Sequence, residues 1–161
     1  MIAPFTSLPD QSRVWIYPSS RPFTTNEKEE ISSLLTSFLE QWTAHGASLE
    51  AAFLLPYDRF IVIGLNQDVQ SASGCSIDAS VHLIQQIEAQ FKIDLLDKMN
   101  VCFRLENKIT YMPLKEFRKL AKTPQIDAHT IVFNNLVVNK SEFESLWEVP
   151  AYDSWHSRFI K

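Results

Sequence analysis

The run LEAAFLLPYDRFIVIGL, residues 49–65, holds two apolar segments separated by Pro56, Tyr57 and Asp58. Proline presets one backbone angle and aspartate bonds its own main chain, so these three residues supply a turn. The flanks, 49–55 and 59–65, then read as the strands of a hairpin. What stands on either side decides the fold. Upstream, RVWIY at 13–17 combines β-branched and aromatic residues and is stopped by Pro18, which predicts a short strand. Thr24 and Glu27 follow at capping-box spacing. Behind them Ile31, Leu34, Leu35, Phe38, Leu39 and Trp42 recur every three or four residues as one helical stripe. His45 falls in the last turn of this helix and Gly46 closes it. Downstream of the hairpin comes a polar loop at 66–74. A second stripe, Ile77, Val81, Ile84, Ile87 and Phe91, then marks another helix.

Strand, helix, hairpin, helix is the opening of a split βαβ unit. Residues 101–105 offer the strand that completes it, and 108–111 can pair with that strand across a turn at Glu106 and Asn107. The expectation is an α+β fold built on a ferredoxin-like βαββαβ layer. An appended α+β lobe follows, with a short helix at 114–122, a strand at 130–133 and a helix at 140–147. Asn139 and Glu142 stand as cap and partner of that last helix and Pro150 as its end. Tyr152, Trp155, His156 and Phe159 make the final stretch heavy enough to dock on the body. The chain, 1–161, reads as a single compact unit with sub-lobes at 10–105 and 106–161.

Apolar residues make up 45% and charged residues 21%, an ordinary globular balance. A chain of this length buries roughly 70% of its unfolded surface, so it folds without metal or disulfide staples. Cys75 and Cys102 have no metal-ligand spacing and are too few for a secreted scaffold, which points to the cytoplasm. Residues 1–9 lack the basic stretch and long apolar run of a signal peptide. No run approaches the roughly 20 apolar residues of a membrane span, since the richest is broken by Glu50, Asp58 and Arg59. No integral membrane segment is expected. A net charge of −4 with scattered basic residues gives no footprint for nucleic acid.

Several chemistries are excluded by motif. Gly46, Gly64 and Gly74 lie too far apart for either common phosphate-cradling loop, both of which let bare amides close on phosphates. ATP hydrolysis is therefore not expected, and no cofactor is indicated. His45, His82, His129 and His156 are isolated and no paired Cys or His spacing occurs, so no metal site is read either. A nucleophile elbow, G-x-S-x-G, is missing.

Three segments still carry candidate sites. Ser73-Gly74-Cys75-Ser76-Ile77-Asp78 enters the second helix, where free amides and the helix dipole favour a thiolate. Cys75 is the candidate nucleophile, His45 or His156 the candidate base, and Asp68 or Asp78 the orienting carboxylate. The plainer reading makes Cys75 a small residue in a tight connection, Ser76 an N-cap and Asp78 a dipole complement. Asn134 and Asn135 could orient a polar ligand through paired amides, or form a turn on their own backbone. Trp155, His156 and Arg158 could face a partner, or belong to a docked tail with Trp155 and Phe159 as anchors. Cys102, inside an apolar strand, reads as core.

Across nearly its whole length the chain resembles an uncharacterised bacterial family often labelled ABC transporter ATPase. LPDQSRVWIY at 8–17, SGCSIDASV at 73–81, TIVFNNLV at 130–137 and WEVPAYDSWHSRF at 147–159 carry the likeness. That label implies ATP hydrolysis. Residues 109–155 also resemble bacterial GYF-like domains through the order of Tyr111, Pro113, Leu114, Phe117, Leu120, Ile126, Thr130, Val132 and Trp147. Here Met112 stands where the pattern has glycine. This second resemblance implies a GYF-like lobe with a protein-interaction role. Together these readings favour a non-enzymatic binding or adaptor protein with a protein partner. The alternative is a thiol-dependent hydrolase or transferase using Cys75, and a third is a structural subunit that self-associates.

Overall fold

In the computed structural model, which describes residues 1–160, the chain is a mixed α+β protein that divides into two compact units. The first comprises Met1–Leu96 together with Val138–Ser141, and the second comprises Asp97–Val137 and the chain from Glu142 onward. The strand at 101–105 thus falls in the second unit, so the division comes after Leu96 instead of after residue 105. Among the described residues no helix is long and apolar enough to cross a membrane.

In the first unit the order is β1 (Arg13–Pro18), α1 (Thr25–Gln41), β2 (Thr43–Ala44), β3 (Ala47–Ser48), β4 (Ala51–Leu54), β5 (Phe60–Leu65) and α2 (Gly74–Phe91). β5 lies between β1 and β4 in an antiparallel sheet, with Ile63 opposite both Trp15 and Phe53. Every residue of β5 is buried, which is why the strand reads FIVIGL without a polar alternation. Ile61, Ile63 and Leu65 share a core with Ile31, Leu35 and Leu39 of α1 and Ile84 and Ile87 of α2. Gly64 points the other way. A β-carbon there would stand 2.7 Å from Leu8 Cδ1 and 3.0 Å from Phe5 Cε2, so glycine is what lets the 3₁₀ turn Phe5–Ser7 and Leu8 lie on that face.

The helix ends are tied to one another by charge. Thr24 and Glu27 form the expected capping box. Arg21 donates both terminal nitrogens to the Glu27 carboxylate at 2.8 Å and also reaches the Phe91 carbonyl at 2.8 Å, joining the start of α1 to the end of α2. The Arg21 guanidinium and the Thr24 amide hold the Glu27 carboxyl down to about 2.

Three expectations are corrected here. First, α1 stops at Gln41 with Trp42 as its C-cap, because His45 (φ 53°) and Gly46 (φ 78°) form the positive-φ turn of the β2–β3 hairpin instead of a helix end. Second, Ser73 and not Ser76 is the N-cap of α2, and Ser76 closes the box from the third helical position. Third, residues 101–105 do not complete the first sheet, which has three strands in the order β1-β5-β4. The free edge of β1 is met by residues 138–141. Val14 N donates to Val138 O at 3.0 Å, Arg13 bridges Asn139, and Lys140 N and Ser141 N bond Ser12 O and Asp10 O at 2.9 Å. The Lys140 ammonium is buried and donates to Leu8 O at 2.7 Å and Thr6 O at 3.2 Å.

The second unit carries β6 (Asn100–Leu105), β7 (Lys108–Pro113), α3 (Leu114–Leu120), β8 (Ile131–Phe133) and β9 (Glu148–Pro150); α4 (Lys140–Leu146), which belongs to this unit from Glu142 on, leads into β9. Its sheet runs β7-β6-β8-β9, all antiparallel. Glu106 (φ 52°) and Asn107 (φ 64°) turn the β6–β7 hairpin. That local partner takes the strand that the ferredoxin-like layer would have needed. Pro150 ends a strand and not a helix, at a sheet edge where its missing N–H leaves no gap. Phe103, Phe117, Val132, Val149 and Ala151 form the core, and Trp155, Phe159 and Ile160 pack against it.

Gly64→Ala should lower the unfolding free energy by about 1–3 kcal/mol, read as a reduced denaturation midpoint at unchanged slope. The depressed Glu27 carboxyl contributes stability that is complete above the ordinary carboxylate value of 4.5 and drains away as pH falls towards about 2. Glu27→Gln should flatten that limb of the stability–pH curve.

Candidate functional site

The site begins with the capping of α2. Ser73 Oγ accepts from Ser76 N at 3.1 Å, while Ser76 Oγ accepts from Ser73 N at 2.7 Å and donates to Ser73 O at 2.8 Å. Gly74 and Cys75 occupy the first two helical positions, whose amides have no intrahelical partner in any α-helix. A β-carbon at Gly74 would meet nothing within 4 Å. The connection is therefore open, and Cys75 is exposed instead of filling a tight passage as the plainer sequence reading had it.

Trp42 brings the end of α1 to this turn. Its indole Nε1 donates to Ser76 O at 2.8 Å in a buried bond, and its ring meets Trp15 edge-on at 6.0 Å and Phe38 at 5.5 Å. Since Trp42 also precedes the β2–β3 hairpin, the positive-φ turn at His45 and Gly46 is carried to the same place. A cavity of about 340 Å³ results. Phe38 and Trp42 give it aromatic walls, Gln41, Thr43 and Ser73 give it amide and hydroxyl groups, and His45 and Cys75 both line it. Two of the residues singled out as nucleophile and base thus share one cavity. Asp78, like Asp68, is exposed and not part of the lining, and no carboxylate is present there.

His156 is placed quite differently. It is 0% exposed in the second unit, where its Nδ1 and Ser154 Oγ share a hydrogen bond of 2.7 Å. Trp155 stacks on the ring at 3.8 Å and Phe117 meets it edge-on at 5.8 Å. Burial pushes its pKa down to about 4, so the ring is neutral at neutral pH. An imidazole sealed in this way has no access to an exposed thiol, which leaves His45 as the base candidate.

The two asparagines are absorbed by structure. Asn134 Oδ1 accepts from Leu136 N at 3.2 Å, and Asn135 Oδ1 accepts from Trp147 Nε1 at 2.8 Å. One amide builds a turn and the other anchors an indole held against Phe133 and Phe143. Trp155 is half-buried, while the exposed Arg158 holds its guanidinium 5.9 Å from the Phe159 ring. Cys102 is buried in β6. Among the described residues no group of three His, Cys, Asp or Glu side chains is arranged to hold a metal ion.

Compared with family models, with curated proteins and with solved structures, the chain matches none.

Trp42→Phe keeps the ring packing and removes the bond to Ser76. It should cost about 1 kcal/mol in unfolding free energy and weaken hydrogen-exchange protection selectively in the first turn of α2.

Proposed function

We propose that this chain is a binding protein and not an enzyme, with the cavity between Trp42 and Cys75 as its ligand site. The observation that carries the reading is the lining itself: the half-buried Phe38 ring beside the buried Trp42, a rim of hydroxyl and amide groups, an imidazole and a thiol, with no carboxylate among the lining residues. Its volume of about 340 Å³ lies at the lower end of the range for small-molecule sites, roughly 300–1,000 Å³. The ligand class that fits is a small planar molecule, stacked on the half-buried Phe38 ring and bonded at its edge by Gln41, Thr43 and Ser73. A cytoplasmic setting agrees with Cys75 being an exposed free thiol. For the second unit a GYF-like arrangement is supported by its order of hairpin, helix and strand, and a peptide partner goes with it.

The test is an NMR titration with a panel of planar aromatic amides and carboxylates. Binding shifts the Trp42 indole N–H and the Ser73 and Cys75 amides. Ala79→Phe, which fills the cavity from α2, should abolish those shifts. A panel that leaves these signals unmoved, or shifts that persist in the filled variant, would overturn the reading.

One observation favours a second reading, thiol chemistry at Cys75: His45 lines the same cavity. General-base assistance is worth roughly 10²–10⁴-fold. His45→Ala should then slow Cys75 alkylation at pH 7 by up to about thirty-fold, the limit set by the thiolate fraction of an ordinary thiol, followed by mass spectrometry. An unchanged alkylation rate leaves the binding reading alone.

A further inference from the structure

The second unit holds a buried titratable group that the proposed site does not use. His156 Nδ1 is satisfied by Ser154 Oγ, but His156 Nε2 is buried with no hydrogen-bond partner, and so is the neighbouring Trp155 Nε1. Around the imidazole stand rings. Trp155 stacks on it at 3.8 Å with the planes inclined by 24°, Phe117 of α3 stands at 5.8 Å, and Phe159 closes the cluster at 6.5 Å from Phe117 and 6.2 Å from Trp155. One buried side chain thus sits at the centre of the contact by which the 3₁₀ turn Trp155–Phe159 is fastened to α3.

We propose that His156 is an acid-sensitive latch, which holds the turn Trp155–Phe159 against Phe117 while neutral and releases it on protonation. A buried imidazolium needs an acceptor for each N–H or a nearby carboxylate. The charged groups on the elements packed against it are Lys115, Glu116, Arg118 and Lys119 on α3, Asp153 on the preceding turn, and Arg158 on its own turn. Glu116 pairs with Lys119 at 3.7 Å. Arg118 and Arg158 lie over the Phe159 ring at 5.6 and 5.9 Å, adding positive charge to the same cluster. Asp153 is exposed to water. None of these hydrogen-bonds the imidazole, so a proton on His156 gains nothing that offsets its burial. Release exposes Phe117, Trp155 and Phe159 together.

The sign follows from linkage. The closed form takes up a proton near pH 4 and the released form near the ordinary histidine value of 6.5, so opening becomes easier as pH falls from 6.5 to 4 and levels off below. Between pH 7.5 and 4.5 the opening constant should rise on the order of a hundred-fold.

Hydrogen exchange on the full chain reads this directly, as protection factors relative to the unfolded chain at each pH. The Ser157 and Ile160 amides, which bond Ser154 O and Ser157 O, report the turn, and the Cys102 and Phe103 amides report the sheet. The expected result is a selective loss of protection at the turn, with the sheet retained, and a pH-independent turn in His156→Phe. Simultaneous loss at turn and sheet, or no loss at the turn, overturns the proposal. Should the variant fail to fold, titration of the His156 ring protons in the unsubstituted protein decides instead: a midpoint near 4 supports the latch, and one at or above 6.5 overturns it.

Discussion

With every residue from Phe60 to Leu65 removed from water, the main chain of β5 is paired by β1 along one side and by β4 along the other. An unmade bond in such a place costs about 1–3 kcal/mol, so the two flanking strands are obligatory. Register is set just as firmly. Sliding β5 by one residue would turn Ile61, Ile63 and Leu65 away from the helices and bring Gly64 towards them. The two faces also need different covers. Branched side chains meet the stripes of α1 and α2 on one side, while on the other a missing side chain lets Leu8 and Phe5 come close. From this the placement of the cavity follows: α1 and α2 pack on the same face of β5, and Trp42 bonds across from the end of one to the start of the other.

The second unit is organised by rings instead of by a buried strand. Phe117 on α3 is the common neighbour of Phe103, His156 and Phe159, so a seven-residue helix is held by aromatic edges on several sides. Such contacts are worth about 0.5–1.5 kcal/mol each beyond burial. A polar ring in the middle of that cluster is accommodated uncharged, since its Nε2 is buried without a hydrogen-bond partner.

Much of this was legible where the signal is local. The stripe of α1, its capping box and the hairpin about Pro56 are set by residues within a few positions of one another. Where one residue type serves two ends the reading went astray. Glycine after a polar residue closes helices and also turns hairpins, and at His45 and Gly46 the choice rests on Leu49 N bonding Trp42 O, which no short window contains. Ser73 and Ser76 cap each other reciprocally, so either could be read as first. Residues 100–105 carry no mark of which sheet they join, and the adjacent hairpin partner takes them. β9, three residues ending in proline, gives no periodicity at all. Of the site, Cys75 and His45 were found by residue type, whereas the cavity they share depends on the Trp42 bond. His156 looked equally reactive in the string, because burial and not identity disqualifies it.

Residues 138–141 close the edge of β1, yet their partners, Asp10, Ser12, Arg13 and Val14, lie more than a hundred positions earlier in the chain. On a ribosome the three-stranded sheet and two helices of the first unit emerge long before that segment does. Nascent chains therefore carry β1 with one side of its ladder open, the condition under which strands recruit foreign neighbours. Arg13 at the head of that strand and Pro18 at its foot are the residue types that discourage such pairing until Lys140 arrives to find the carbonyls of Thr6 and Leu8.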